Sequence, residues 1–263
     1  MTALASDTGV GTRSVPPLGG LNLTLLRLEL RRLLRNRRTM VFTLIMPPVF
    51  FLIFGTQSSY RAQRVGHGNV TAYIAVSMAV YGAMLACTGG GATVSVERAQ
   101  GWSRQLRLTP LTPVAYIAVK ALVAMTMGLA SVLAVFGVAA VSHASMPLHV
   151  WVECGVVAWL GSLVFAAFGL LMGYLLPAEN VMQILGPVLG VLAFAGGLFV
   201  PLRDGSVFAT LSQLTPLYGL ATVGRLPLTS DGGGWAALLN LVVWGGLFVA
   251  GAAWLFRRDT ERV

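Results

Sequence analysis

Charge is scarce in this sequence. Only 10% of its 263 residues are Asp, Glu, Lys or Arg, where a soluble domain carries about a quarter. Acidic residues are scarcer still, nine against eighteen basic ones. Two cysteines give no disulfide framework. Cys87 and Cys154 fall in different apolar runs at different expected depths, so both read as small packing residues. The three histidines (His67, His143 and His149) sit between apolar runs without metal-ligand spacing. Neither HExxH nor CxxC occurs. Nor does GxxxxGK[ST]; Gly89-Gly90-Gly91 has no lysine after it, so the chain has no P-loop with which to cradle nucleotide phosphates. Ser162 follows Gly161 inside an apolar run, but no histidine shares its depth, which argues against an intramembrane serine protease. The first 20 residues lack the apolar core of a signal peptide, so no cleavage is expected.

Apolar residues fill the space that charge leaves. They make up 56% of the chain, with 31 glycines and a mean hydropathy of +0.77. That composition reads as a polytopic helical membrane protein. Val70–Val96 and Ala121–Val152 contain no charged residue at all, and each exceeds the ~20 residues a helix needs to cross a ~30 Å hydrocarbon layer. Between them lies Glu97–Pro113, ERAQGWSRQLRLTPLTP, with four charges in seventeen residues. It is a polar connector between two spans, and the rest of the chain is organised around it.

The expected fold is all-α and membrane-integral, with six transmembrane helices. Residues 1–20 read as a disordered cytoplasmic N-terminus. Residues 21–38 form an amphipathic interfacial helix: Leu23, Leu26, Leu30, Leu33 and Leu34 share one arc, and Arg27, Arg31, Arg35 and Arg38 gather beside it near anionic headgroups. Six spans follow in residues 39–256, at about 39–55, 70–96, 114–141, 151–176, 181–200 and 235–256, before a cytoplasmic tail at 257–263. Pro47-Pro48 should kink the first span and free carbonyls that neighbouring helices must cover. Small residues recur every fourth position from Ala75 to Ser95, and GxxxG spacing occurs at Gly169/Gly173 and at Gly186/Gly190, as close helix approach requires. Lys120 is expected to snorkel to the interface. Gly205–Gly224 is long enough to span but too polar, and parity argues against it: with six spans the two arginine-rich termini share a side. It reads as surface helices or a re-entrant segment. Fourteen of the eighteen basic residues then lie with the termini and four opposite, so the termini and the connector are expected to be cytoplasmic; the expected location is the plasma membrane. The excess of arginine beside spans is a topology signal and does not make a nucleic-acid site.

The connector is expected to hold a short helix. Gly101 permits a turn, Trp102–Leu108 can be helical with Arg104 and Arg107 on its polar side, and Thr109-Pro110 and Thr112-Pro113 stop it. Proton-driven transport would need carboxylates or histidines inside the spans, and the nearest, Glu153 and Glu179, stand at span ends. The energy is therefore expected from another polypeptide. A stand-alone ion-driven transporter and a non-transporting scaffold or sensor remain the alternatives.

ERAQGWSRQLRLTPLTPVAYIAVKAL (97–122) resembles the stretch after the second span in type-2 ATP-binding-cassette (ABC) exporter permeases. Their pattern is E-R-E-x-G-T-x-x-x-L-x-x-[ST]-P-L. Glu97, Arg98, Gly101, Leu106, Thr109, Pro110 and Leu111 match it, and Trp102 departs from the usual small hydroxyl residue. The basic amphipathic helix, the six spans and TPLYGLATVGR, with Pro216, Tyr218 and Arg225, resemble the family as well. The resemblance implies a non-enzymatic permease that dimerises with a second copy or a paralogue and sits on two ABC ATPase subunits. ATP and Mg would be bound by those subunits, with no cofactor in this chain. Glu97, Arg98, Gly101, Arg104, Arg107, Thr109, Pro110 and Leu111 would form the coupling helix, and Gly186/Gly190 could serve the dimer contact. The drug- and antibiotic-exporter branch is the nearest in layout.

Overall fold

The structure, a computed structural model, describes residues 23–101, 112–199, 206–230 and 234–261. In chain order its helices are α1 (Leu23–Arg35), α2 (Arg37–Met40), a π-helical turn (Val41–Ile45), α3 (Met46–Gly55) and α4 (Ser58–Ala62). A two-stranded hairpin, β1 (Arg64–Val65) with β2 (Gly68–Asn69), precedes α5 (Val70–Ala99). Then come α6 (Pro113–Val141), α7 (Leu148–Gly161), α8 (Leu163–Leu175), α9 (Ala178–Ala195), α10 (Val207–Ser212), α11 (Pro216–Thr229) and α12 (Gly234–Glu261).

Five stretches are long and apolar enough to cross a membrane: Val70–Ala99, Val114–Val141, Leu148–Leu175, Ala178–Ala195 and Gly234–Asp259. Val41–Gly55 is a shorter apolar helix. The chain is thus a mainly helical, multi-pass membrane protein. At its centre stands α5, flanked along its length by α6 and α8, with α3, α9 and α11 completing the wall around it.

Capping chemistry sets where α5 and α6 begin. Asn69 Oδ1 accepts from the Ala72 amide at 2.9 Å, and Thr112 Oγ1 from the Ala115 amide at 3.3 Å. Asn69 does more than cap. Its Oδ1 also accepts from the Ser145 amide at 3.0 Å, and its Nδ2 donates to the His143 carbonyl at 2.9 Å. One side chain thus joins the hairpin, α5 and the α6–α7 loop. Gly66 in the hairpin turn has φ +52°, and a Cβ there would meet the Leu228 carbonyl at 2.1 Å, so conformation and space both demand glycine.

The proline pair acts as its chemistry requires. Pro47 has no N–H for the Thr43 carbonyl four residues back, and the helix ahead of it widens into the π turn. Ser131 Oγ, from α6, donates to that freed carbonyl at 2.6 Å.

Close packing rests on glycine. A Cβ on Gly169 would lie 2.2 Å from the Thr88 carbonyl oxygen, and one on Gly91 would lie 2.4 Å from that of Ala166. Backbone meets backbone where α5 crosses α8, as the small-residue stripe implied. Gly186 and Gly190 differ: a Cβ on either meets nothing within 4 Å.

Four features depart from the sequence reading. Gln57–Asn69, which its polar composition marks as a short loop, contains α4 and the hairpin. The fourth span, expected as one helix over 151–176, begins at Leu148 and breaks at Ser162, where Ser162 Oγ donates to the Trp159 carbonyl at 2.6 Å; a Gly-Ser pair is a recognised place for a helix to kink. The segment between α9 and α12 is two helices of unlike character. α10 exposes Val207, Phe208 and Leu211, whereas α11 is largely buried against α5, α7 and α12. Finally, α1 docks through a face rotated from the expected one. Leu25, Leu26, Leu30 and Leu33 pack on Val119, Val123 and Met127 of α6, and Leu23, Leu28 and Leu34 stay exposed.

Candidate functional site

The last full turn of α5 carries two adjacent charges that reach in different directions. Glu97 is 2% exposed. Its Oε1 accepts from Arg32 Nη1 on α1 at 2.9 Å and from Lys120 Nζ on α6. Its Oε2 accepts from the Tyr116 hydroxyl, also on α6. Lys120, 4% exposed, donates in addition to Glu29 Oε2 on α1 at 2.7 Å. The cluster therefore holds two carboxylates and two cations, and the buried members are satisfied by one another. Such a group is tolerated in a low-dielectric interior only when its charges are paired and hydrogen-bonded.

Arg98 turns to the opposite flank. Its Nε and Nη2 form a two-pronged pair with Asp259 of α12, at 3.0 and 2.5 Å. Its Nη1 donates to the Tyr174 carbonyl at the end of α8 at 3.0 Å, and the guanidinium lies 5.4 Å from the Tyr174 ring centroid. This pair is about one-third exposed, so solvent screens it and its net contribution is small. Two consecutive residues thus tie α5 to α1 and α6 on one flank, and to α8 and α12 on the other. Beyond them the helix stops: the Gly101 amide donates to the Arg98 carbonyl at 3.0 Å, and Gly101 takes a left-handed φ of +71°.

Of the sequence-predicted coupling residues, the structure brings Glu97, Arg98 and Gly101 together at this helix end. Arg104, Arg107, Thr109, Pro110 and Leu111 lie outside the described residues. Arg27, Arg31 and Arg35 are exposed on α1; Arg38 belongs to α2, and its side chain lies outside the description. Lys120 corrects its reading. It does not snorkel outward but turns into the bundle, because Glu97 and Glu29 offer two anionic partners there.

Sequence reasoning missed Glu29, Arg32, Tyr116 and Asp259. Spacing carried part of the signal. Tyr116 and Lys120 stand four apart on one face of α6, and Glu29 and Arg32 three apart on α1, a lone acid amid arginines.

The charged groups also sort by end. Arg32 and Lys120, with their carboxylates Glu97 and Glu29, and the Arg98–Asp259 pair lie at one end of the bundle. Arg225 lies toward the other, hydrogen-bonded to Tyr73 and to the Gly197 carbonyl, on the side of the Asn69–His143 junction.

Residues 21–222 match the family described as "ABC-2 type transporter". The chain is also 27% identical over 242 residues to YvfS of Bacillus subtilis (strain 168), a protein named a transport permease by inference. That alignment covers 89% of this chain and 96% of the relative.

Proposed function

The chain belongs to the ABC-2 type transporter family, and from that premise we propose that it is the permease of an exporter driven by two ABC ATPase subunits. Membership itself makes it the membrane subunit of an ABC transporter, a transport subunit rather than an enzyme, whose family works with ABC ATPases. The finer reading is six spans, with Val41–Gly55 as the first. The termini and the 97–113 connector face the cytoplasm at the plasma membrane, and a second permease copy or a paralogue completes the unit. The cargo is amphipathic (a drug, an antibiotic or a lipid-like molecule), as in the drug- and antibiotic-exporting branch.

One observation carries this reading: Glu97 and Arg98, at the root of the connector, are each tied to two other helices. ATPase subunits docked on residues 101–111 would push on the end of α5. Glu97 would hand that displacement to α1 and α6, and Arg98 to α8 and α12. A connector rooted in this way moves most of the bundle at once, which a loosely attached loop cannot do.

The test is reconstitution with an ABC ATPase that co-purifies with the permease. Arg104→Glu should cut ATP-dependent transport by about tenfold or more while membrane insertion and thermal midpoint stay at wild-type values, because reversing a cation of the connector opposes docking without touching the spans. Wild-type transport, or failure of any ATPase to co-purify, would overturn the reading.

The dimer has its own test. A Cβ on Gly186 or Gly190 meets nothing within 4 Å among the described residues, so in Gly186→Leu/Gly190→Leu the monomer should fold normally while cross-linked dimer falls several-fold. An unchanged cross-linking yield would remove these glycines from the interface.

A further inference from the structure

A partly open cavity of about 540 Å³ lies beside the charged cluster, walled by α1, the π turn, α5, α6 and α9. Its size is that of a pocket for a drug-sized molecule. Most of its wall is apolar, including Phe42, Leu85, Val123 and Leu189. Two features of that wall are unusual. Thr88 lines it with a fully buried hydroxyl that has no hydrogen-bond partner among the described residues, an arrangement costly enough to call for one. Next to it, Gly89 leaves open space where a side chain would stand.

The charged residues of the wall decide what can enter. They are Glu29, Arg32, Glu97 and Lys120, and their mutual ion pairs already link them. The two cations and two carboxylates of the wall offset one another, so a charged ligand would give up hydration on entering with no net counter-charge to replace it, and burial would disfavour it. A neutral molecule escapes that cost and can still partner the Thr88 hydroxyl.

We infer that this cavity binds a neutral amphipath with an apolar body and an uncharged hydrogen-bonding group, and that charged amphipaths are excluded from it. The inference rests on the permease reading and adds to it the substrate class. A resident glycerolipid of the bilayer and a transported neutral compound share this chemistry.

Photolabelling of the full-length chain in nanodiscs tests it. Three matched compounds carry the same diazirine-bearing acyl chain: a monoacylglycerol, an acylcholine and a lysophosphatidic acid. All three should label the exposed face of α12 at Val242, Val243 and Leu247, which serves as the internal control for folding. Only the monoacylglycerol should label the 88–97 stretch of α5, with the charged compounds at about a tenth of its yield or less. Gly89→Leu should abolish that labelling by filling the space. Thr88→Val, which keeps the shape, should weaken it about three- to tenfold, the worth of one hydrogen bond.

The inference is overturned if either charged compound labels 88–97 as well as the neutral one does, or if the neutral one fails to label it. It is equally overturned if Gly89→Leu leaves labelling intact while the α12 control holds. Mass spectrometry of the purified chain separates the two sources. A neutral glycerolipid retained by wild type and lost in Gly89→Leu marks a resident lipid; labelling with no retained lipid marks a transported compound. Both uphold the neutral pocket. No ATPase enters these measurements, so a failure here and a failure of co-purification are separate results.

Discussion

Glu97→Ala should destabilise the protein by about 3–5 kcal/mol, the cost of stranding a buried charge by removing its partner. Lys120 would keep only Glu29, the Tyr116 hydroxyl would lose its acceptor, and Arg32 would lose its tie to α5. Lys120→Met should cost a similar amount for the mirror-image reason. The double variant Glu97→Met/Lys120→Met is the informative one. It removes both buried charges, and Glu29 and Arg32, one turn apart on α1, can then pair with each other. Its loss should fall well short of the sum of the single losses, with a coupling energy of about 1–3 kcal/mol. Thermal unfolding in detergent measures all three. Additive losses would mean that Glu97 and Lys120 do not act as a unit. For transport the expectation runs the other way. The apolar pair restores folding without the ionic link between the end of α5 and α6, so ATP-driven transport should stay low in the double variant even where stability recovers.

The second large effect belongs to Gly169. A Cβ there points at the Thr88 backbone carbonyl at 2.2 Å, and no rotamer change relieves a clash with main chain. α5 and α8 would have to separate along a contact that also includes Gly91 and Gly173. Overpacking of a close core typically costs about 1–3 kcal/mol, and a backbone-to-backbone contact leaves the least room to adjust. Gly169→Val should therefore sharply reduce the yield of folded protein, as read by size-exclusion profile and thermal midpoint. A wild-type midpoint would show that the two helices do not approach this closely. Gly186→Leu supplies the comparison, since glycine in the same spacing but facing open space should tolerate the change.

The long helices were legible in the sequence because each is an unbroken apolar run, and two of them begin at recognisable capping residues, Asn69 and Thr112. The proline pair was legible for a simple reason: Pro47 lacks a donor whatever surrounds it. What pattern alone could not resolve was partnership at long range. Lys120 near the start of an apolar run looks like a headgroup anchor, and only folding brings Glu29, 91 positions earlier, to within 2.7 Å of it. The hairpin at Arg64–Asn69 escaped because two residues per strand are too few for alternation to appear. The kink at Ser162 was present as a Gly-Ser pair but was weighed only as a nucleophile. On α1, seven leucines between positions 23 and 34 leave the apolar arc ambiguous, and the complementary surface of α6 chooses the face.

The Asn69 junction has a mechanical consequence. Its neutral hydrogen bonds pin one end of α5 to the hairpin and to the α6–α7 loop, while Glu97 and Arg98 sit 28 and 29 residues away. At 1.5 Å per residue that makes an arm of about 42 Å, so tilting it by about 5° around Asn69 swings the far tip through roughly 4 Å. At that pivot the Asn69 side chain works together with its own backbone amide, which donates to the Ser145 carbonyl at 3.1 Å, and the charges stand at the far end of the arm.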